Sequence, residues 1–142
     1  MEACLQIFYI FMALYGWSQW RSKELPLVVG TWQLSSHLKA LALILLLSLS
    51  SGYILDNYTE AALPFFDALT TWGAVVATYM VAKKLIENWI YWFVIDFVSV
   101  FLFLSRDLFL TALLFVGYLV IIIFGYRAWN LSMLETKKGI NY

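Results

Sequence analysis

The chain has 142 residues, of which 63% are hydrophobic, 19% aromatic and 13% charged, and its net charge is zero. Soluble domains hold roughly 45–50% apolar and about 25% charged residues, so this composition excludes a single water-facing globule and predicts an integral membrane protein. Zero net charge argues against a nucleic-acid partner held through phosphate contacts, and the lone cysteine, Cys4, excludes an internal disulfide and a cysteine-based zinc site.

Five apolar segments follow one another, at 2–20, 39–55, 65–82, 86–104 and 107–128. Each is near the ~20 residues that cross a ~30 Å hydrocarbon core as a helix. Helices satisfy their own backbone groups in lipid, and the runs lack the alternation of ~10-residue barrel strands. The expected fold class is therefore all-α, a polytopic membrane helical bundle.

The first segment starts Met1-Glu2-Ala3, without a basic stretch, and ends Gly16-Trp17-Ser18-Gln19-Trp20 rather than in small residues, so it does not read as a signal peptide. At 100° per residue, Gln6, Tyr9, Ala13, Gly16, Trp17 and Trp20 share one of its faces. The second segment, Leu41-Ala42-Leu43-Ile44-Leu45-Leu46-Leu47 and onward, has no polar face in its first half and reads as a lipid-facing or connecting helix. The third aligns Asp67, Thr70, Thr71, Ala74 and Thr78. The fourth gathers Asn88, Trp89, Trp92, Asp96 and Ser99 into an arc of roughly 100°. The fifth aligns Thr111, Tyr118, Gly125 and Trp129.

If the segments alternate, Arg21, Lys23, Lys39, Lys83, Lys84, Arg127, Lys137 and Lys138 fall on one side and Arg106 on the other. The positive-inside rule makes the crowded side cytoplasmic, with the N-terminus outside and the C-terminus inside. Asn57-Tyr58-Thr59 and Asn130-Leu131-Ser132 match the glycosylation sequon, a match too short to carry weight.

A carboxylate within a bilayer costs a few kcal/mol or more, so it faces a bundle interior or a wet cavity. Asp96 is the deepest acidic residue, whereas Asp67 and Asp107 lie near segment ends, in reach of the headgroups, and Asp67 also suits a first helical turn. The other polar groups have plainer readings beside the functional one. Trp17, Trp20, Tyr126 and Trp129 suit interfacial anchors, Thr70, Thr71 and Thr78 suit helix–helix glue, and Asn88 suits a cap. An internal repeat joins Tyr15-Gly16-Trp17-Ser18-Gln19-Trp20 to Phe124-Gly125-Tyr126-Arg127-Ala128-Trp129 and, at the same offset, Tyr9 to Tyr118. Both copies run in one direction, the arrangement of parallel transporter repeats joined by an extra helix.

The blocks Gln6-Ile-Phe-Tyr-Ile-Phe-Met, Tyr15-Gly-Trp-Ser-Gln-Trp-Arg21, Thr71-Trp-Gly, Ala82-Lys-Lys, Glu87-Asn-Trp-Ile-Tyr-Trp-Phe-Val-Ile-Asp96, Leu110-Thr-Ala-Leu-Leu114 and Gly125-Tyr-Arg-Ala-Trp129 resemble the PnuC family of nicotinamide riboside transporters. The likeness runs along nearly the whole chain apart from the loop 23–38 and the tail after 130. It implies a SWEET-like three-plus-one-plus-three transporter fold in the bacterial inner membrane, vitamin uptake by facilitated diffusion, and a supply for NAD biosynthesis. It also implies that the first two helices of the family are absent here, since Met1-Glu2-Ala3-Cys4-Leu5-Gln6 resembles the start of the family's third helix. On that basis residues 1–22 are a remnant of the first triple, 39–55 the connecting helix, 65–130 the second triple and 131–142 a cytoplasmic tail. Ala13 departs from the small polar residue that relatives place there.

The substrate implied is a flat cation, and aromatic faces attract cations, tryptophan best. Trp89 and Trp92 are the expected ring contacts, and Gln6, Asn88 and Thr71 the polar contacts. Asp96 is expected to face the cation or hold that group together, with Tyr9, Trp17 and Tyr118 as further contacts. A same-fold carrier for thiamine, riboflavin or deoxynucleosides, and a truncated membrane protein that transports nothing, stay open as alternatives, as does a homo-oligomer. No motif points to covalent chemistry, a cofactor or a metal. His37 is expected as a surface histidine in a cytoplasmic loop.

Overall fold

The computed structural model describes residues 2–21, 27–60 and 63–140; Lys23, one of the basic residues used for the orientation, lies outside them, as do the ends of the tail at 141–142. Five helices occupy the described residues: α1 (Glu2–Trp20), α2 (Leu34–Tyr58), α3 (Pro64–Ala82), α4 (Asn88–Ser105) and α5 (Phe109–Ile140). Four of them, α2 to α5, are long and apolar enough to cross a membrane. α1 has the length, at 19 residues, but Gln6, Gln19 and its aromatic end keep it out of that set. The chain is a multi-pass all-α membrane bundle, as expected from composition.

α3 is the hub. α1, α2 and α4 each pack on it, and α5 packs on α4. Successive helices run in opposite directions, which gathers Arg21, Lys39, Lys83, Lys84 and Arg127 at one end, called here the basic end, and leaves Arg106 at the other. Pro64 opens α3 at its first positions, where the missing N–H costs nothing. The turns after α3 and α4 are built alike. Lys84 (φ 56°) and Asp107 (φ 58°) adopt the left-handed conformation, and Leu85 and Leu108 donate back to Met80 O (3.0 Å) and Phe103 O (2.9 Å). These are Schellman closures, made without the glycine that usually occupies that position.

α2 starts at Leu34, five residues before the expected 39, so His37 belongs to its first turns and not to a loop. The buried seam of α2 is Ala40, Ile44, Ser48 and Gly52, spaced four apart. Small residues let the backbones of α2 and α3 approach, the usual device where lipid removes the hydrophobic drive between helices. Gly52 lies under the Phe65 ring, and Trp72 Nε1 donates to Ser51 Oγ at 3.0 Å. Leu41, Leu43, Leu45, Leu46 and Leu49 are exposed, in line with the lipid-facing reading of this helix. α5 has 32 residues, about 48 Å at 1.5 Å each, and so continues beyond a ~30 Å core. Residues 131–140, expected as a tail after a span ending at 128, are thus the last turns of α5.

The segment before α2 is tied to the basic end of the hub. Gly30 N–H donates to Lys84 O and Ile86 N–H donates to Gly30 O, both at 3.0 Å. Trp32 N–H donates to Glu87 Oε1 at 2.9 Å. These bonds fix the α1–α2 connection against the α3–α4 turn.

Gly52→Ala is expected to force the Phe65 ring aside and loosen α2 from α3, lowering stability by ~1–3 kcal/mol as overpacking does. Thermal unfolding in detergent, followed by helical circular dichroism, checks it.

Candidate functional site

A cavity of about 680 Å³ lies between α1, α3, α4 and α5. The third helix supplies Asp67, Thr70, Thr71, Ala74 and Thr78, its complete expected stripe. The fourth supplies Trp92, Asp96 and Ser99, with Phe103 and Arg106 nearer the far end; α1 contributes Tyr9 and α5 contributes Phe115. Both polar stripes therefore turn inward for the reason given by the cost of polar groups in lipid. Asp96 is 4% exposed and carries the buried charge of this bundle.

The hydroxyls differ in what they can offer. Thr70 donates to Phe66 O (3.0 Å) and to Asp67 O (3.1 Å), Thr78 to Ala74 O (2.7 Å), and Ser99 to Ile95 O (2.8 Å). Each satisfies its own helix and presents lone pairs to the cavity. Thr71 makes no such bond among the described residues, which leaves its hydroxyl for another partner. The Asp96 carboxylate likewise has no hydrogen-bond or ion-pair partner among them. The wall thus combines one carboxylate unpaired among the described residues, hydroxyls, and the aromatic side chains of Tyr9, Trp92, Phe103 and Phe115.

The far end of the cavity holds a feature the sequence reading missed. Arg106 Nη2 meets Asp67 Oδ2 at 2.5 Å, joining the start of α3 to the end of α4. Asp67 is therefore an ion-pair partner lining the cavity, not a headgroup residue alone. The signal was available: antiparallel neighbours place the first turn of α3 beside the last of α4, and Arg106 was the one basic residue on that side.

At the basic end the expected contacts Asn88 and Trp89 lie away from the cavity. Asn88 is fully buried. Its Nδ2 donates to Leu85 O at 2.5 Å, and its Oδ1 has no partner among the described residues. Trp89 lies over Gly125 and edge-on to Trp129, with centroids 5.3 Å apart, its Nε1 buried and, among the described residues, without a partner. Trp129 in turn meets Trp20 edge-on at 5.7 Å, and Trp20 Nε1 donates to Ala82 O at 3.2 Å. Three tryptophans thus form a cluster linking α4, α5 and α1. The repeat that paired Trp20 with Trp129 brings the two residues into contact. Lys84 sits over the Trp20 ring at 5.2 Å, and Lys83 donates to the Tyr15 hydroxyl at 2.7 Å. That bond raises the Lys83 pKa and keeps the ammonium charged.

Three further expected contacts are placed elsewhere. Gln6 is exposed. Trp17 is 62% exposed and lines a smaller cleft of about 330 Å³ between α1 and α3, which shares Tyr9 and Thr78 with the main cavity. Tyr118 reaches the site only through Phe115, 5.5 Å away edge to face. On an isolated face these residues are indistinguishable from Tyr9; α1 packs on α3 and meets α5 only at the Trp20–Trp129 rings among the described residues, which leaves Gln6 exposed. His37 departs most from expectation: it is half-buried, with Nδ1 2.9 Å from the Tyr91 hydroxyl and Nε2 3.5 Å from Glu87 Oε1.

The model of the nicotinamide mononucleotide transporter family matches residues 1–131. Among curated proteins, the chain is 23% identical to the nicotinamide riboside transporter PnuC of Escherichia coli, over 92% of this chain and 66% of that protein. It is 25% identical to the riboflavin/roseoflavin transporter RibM of Streptomyces davaonensis, over 91% of this chain and 63% of that protein. The chain thus spans just under two thirds of the length of these relatives. No solved structure matches it.

Gly125→Ala is expected to drive the Trp89 ring off its seat, because an added Cβ would sit 2.6 Å from Cζ3 of that ring. Tryptophan fluorescence should change in position and quenching, and stability should fall by ~1–3 kcal/mol. For the Asp67–Arg106 pair, a double-mutant cycle with Asp67→Asn and Arg106→Gln is expected to give a coupling no larger than about 1 kcal/mol, since both groups stay partly open to solvent.

Proposed function

Because the chain belongs to the nicotinamide mononucleotide transporter family, we propose that its cavity passes nicotinamide riboside across the inner membrane by facilitated diffusion, feeding NAD synthesis. One observation carries this reading: Asp96 is buried, lines a cavity with aromatic walls, and its carboxylate has no partner among the described residues. A buried carboxylate without a partner is costly. A cationic pyridinium entering beside it supplies the missing charge, while Trp92 and Tyr9 offer ring faces of the kind that hold flat cations. Thr71 is the hydroxyl free to pair the ribose or the carboxamide. The cavity, at about 680 Å³, falls within the ~300–1,000 Å³ range of small-molecule sites. Asn88, Trp89 and Trp17 border the route at its basic end rather than the cavity itself.

In this reading the basic end is cytoplasmic, which sets the N-terminus outside and the C-terminus inside. α2 acts as the connecting helix of a SWEET-like arrangement, α1 belongs to a first triple, and α3 to α5 form the second. The mechanism needs only binding and alternate exposure of one site. The Asp67–Arg106 pair bounds that site at one end and the tryptophan cluster stands at the other.

The similarity to RibM supports a second reading, in which the cargo is riboflavin. The two differ in charge. An uncharged flavin gains nothing from a carboxylate at position 96, whereas the riboside cation does.

Uptake of labelled nicotinamide riboside, thiamine and riboflavin, in cells lacking their own carriers for each, separates the readings. Riboside uptake is expected, and Asp96→Asn is expected to reduce riboside affinity by roughly tenfold or more, equivalent to ~1.4 kcal/mol. The same change should leave binding of the uncharged dihydro form of the riboside within about twofold, because no ion pair is lost. Flavin or thiamine uptake without riboside uptake rejects the proposal, and equal losses for both riboside forms reject the role given to Asp96.

A further inference from the structure

A second cavity, which shares only Thr70 and Ile95 with the site above, opens on the α2 side of α3. α2 and α4 both pack on α3 but share no packed seam among the described residues, and the groove between them encloses about 400 Å³. Its floor is α3 at Leu69 and Gly73, and its walls are apolar: Leu41 and Ile44 from α2, Val94 and Val98 from α4. Polar side chains collect at the basic end, where the His37 ring, the Tyr91 hydroxyl and the Glu87 carboxylate close the groove. Glu87 Oε1 accepts from Trp32 N–H and neighbours His37, while Oε2 is buried and has no partner among the described residues.

The dimensions match one kind of occupant. From Glu87 to Val98 the α4 wall runs 11 residues, about 16 Å at 1.5 Å each. That is half of a ~30 Å hydrocarbon core, the depth of one leaflet. The polar end lies at the helix termini, where the headgroups are, and the apolar end lies near the midplane. A soluble ligand would leave most of this wall unused. A packing helix would need no polar end. Glu87 is the charged group at the mouth, and a carboxylate with one oxygen lacking a donor among the described residues suits an ammonium group.

We propose that this groove is a binding site for a phospholipid with a primary-amine headgroup, drawn from the leaflet at the basic end. One acyl chain lies along α2 and α4, and the amine pairs with Glu87 beside Tyr91. The bound lipid fills the seam that α2 and α4 leave open and fastens the start of α2 to the α3–α4 turn.

The test uses the full chain, reconstituted into nanodiscs that contain equal parts of phosphatidylethanolamine, phosphatidylcholine and phosphatidylglycerol, then released and weighed by native mass spectrometry. One phosphatidylethanolamine per chain is expected to be retained, roughly tenfold over the other two, as one charge-assisted bond allows. Glu87→Gln should bring phosphatidylethanolamine down to the level of phosphatidylcholine. Val94→Trp, which fills the groove from a position facing lipid, should remove all three adducts while helical circular dichroism stays unchanged. Equal retention of the three lipids by the unaltered chain overturns the proposal, as does phosphatidylethanolamine retention that survives both substitutions. A doubled chain mass in place of a lipid adduct assigns the groove to a second copy and overturns it too.

Discussion

A carboxylate placed midway along a bilayer-crossing helix cannot face acyl chains. Asp96 imposes that constraint on α4, and much of the bundle follows from it. Once Asp96 turns inward, helical geometry brings Trp92 and Ser99 with it, and sends Phe93, Phe97 and Phe101 to the lipid side, where they are exposed. α3 answers with its own polar stripe, so two helices with one wet face each meet across a cavity rather than a dry seam. Beside the cavity the same two helices also meet in a dry contact, where Gly73 of α3 accepts Ile95 of α4 at close range, and the small residues of α2 close on the far side of α3.

The two ends of the bundle are held by different physics. At one end an ion pair between Asp67 and Arg106 bridges consecutive helices, a contact that water and salt can weaken. At the other, Trp20, Trp89 and Trp129 meet edge to face, held by dispersion and ring quadrupoles, with glycine at 125 leaving room for Trp89. α1 and α5 share no packed seam, so among the described residues this ring contact is what joins them.

The sequence was most informative where the physics is local. Apolar run length located all five helices, and the 100° periodicity grouped the α3 stripe and, from the α4 stripe, Trp92, Asp96 and Ser99, which line one cavity, because a polar residue in lipid has only one acceptable direction. It was least informative for α1, whose stripe holds Gln6, Tyr9 and Trp17 but sends only Tyr9 into the main cavity. Which residues of one face meet a neighbour depends on where that neighbour crosses, and spacing along one helix does not encode a crossing point. His37 shows the same limit from the other side. Its isolation in the sequence suggested a surface residue, yet its partners Tyr91 and Glu87 lie more than fifty positions away. The Asn88–Trp89 pair sits in the most specific block of the chain, but a side chain one position from Asp96's stripe in angle can face a different helix, and Trp89 faces α5.

The central claim is that the inner seam of α3 and α4 is wet and reachable by a small polar molecule. Thiol accessibility tests it most directly. In a chain with Cys4 replaced by serine, single cysteines at Ser99 and Thr71, and at Phe97 and Phe101 for comparison, are treated with a membrane-impermeant charged thiol reagent in sealed vesicles. Modification is expected at Ser99 and Thr71, slowed when nicotinamide riboside is present, and none at Phe97 or Phe101. Modification at Phe97 and Phe101 with Ser99 and Thr71 unreactive would contradict it.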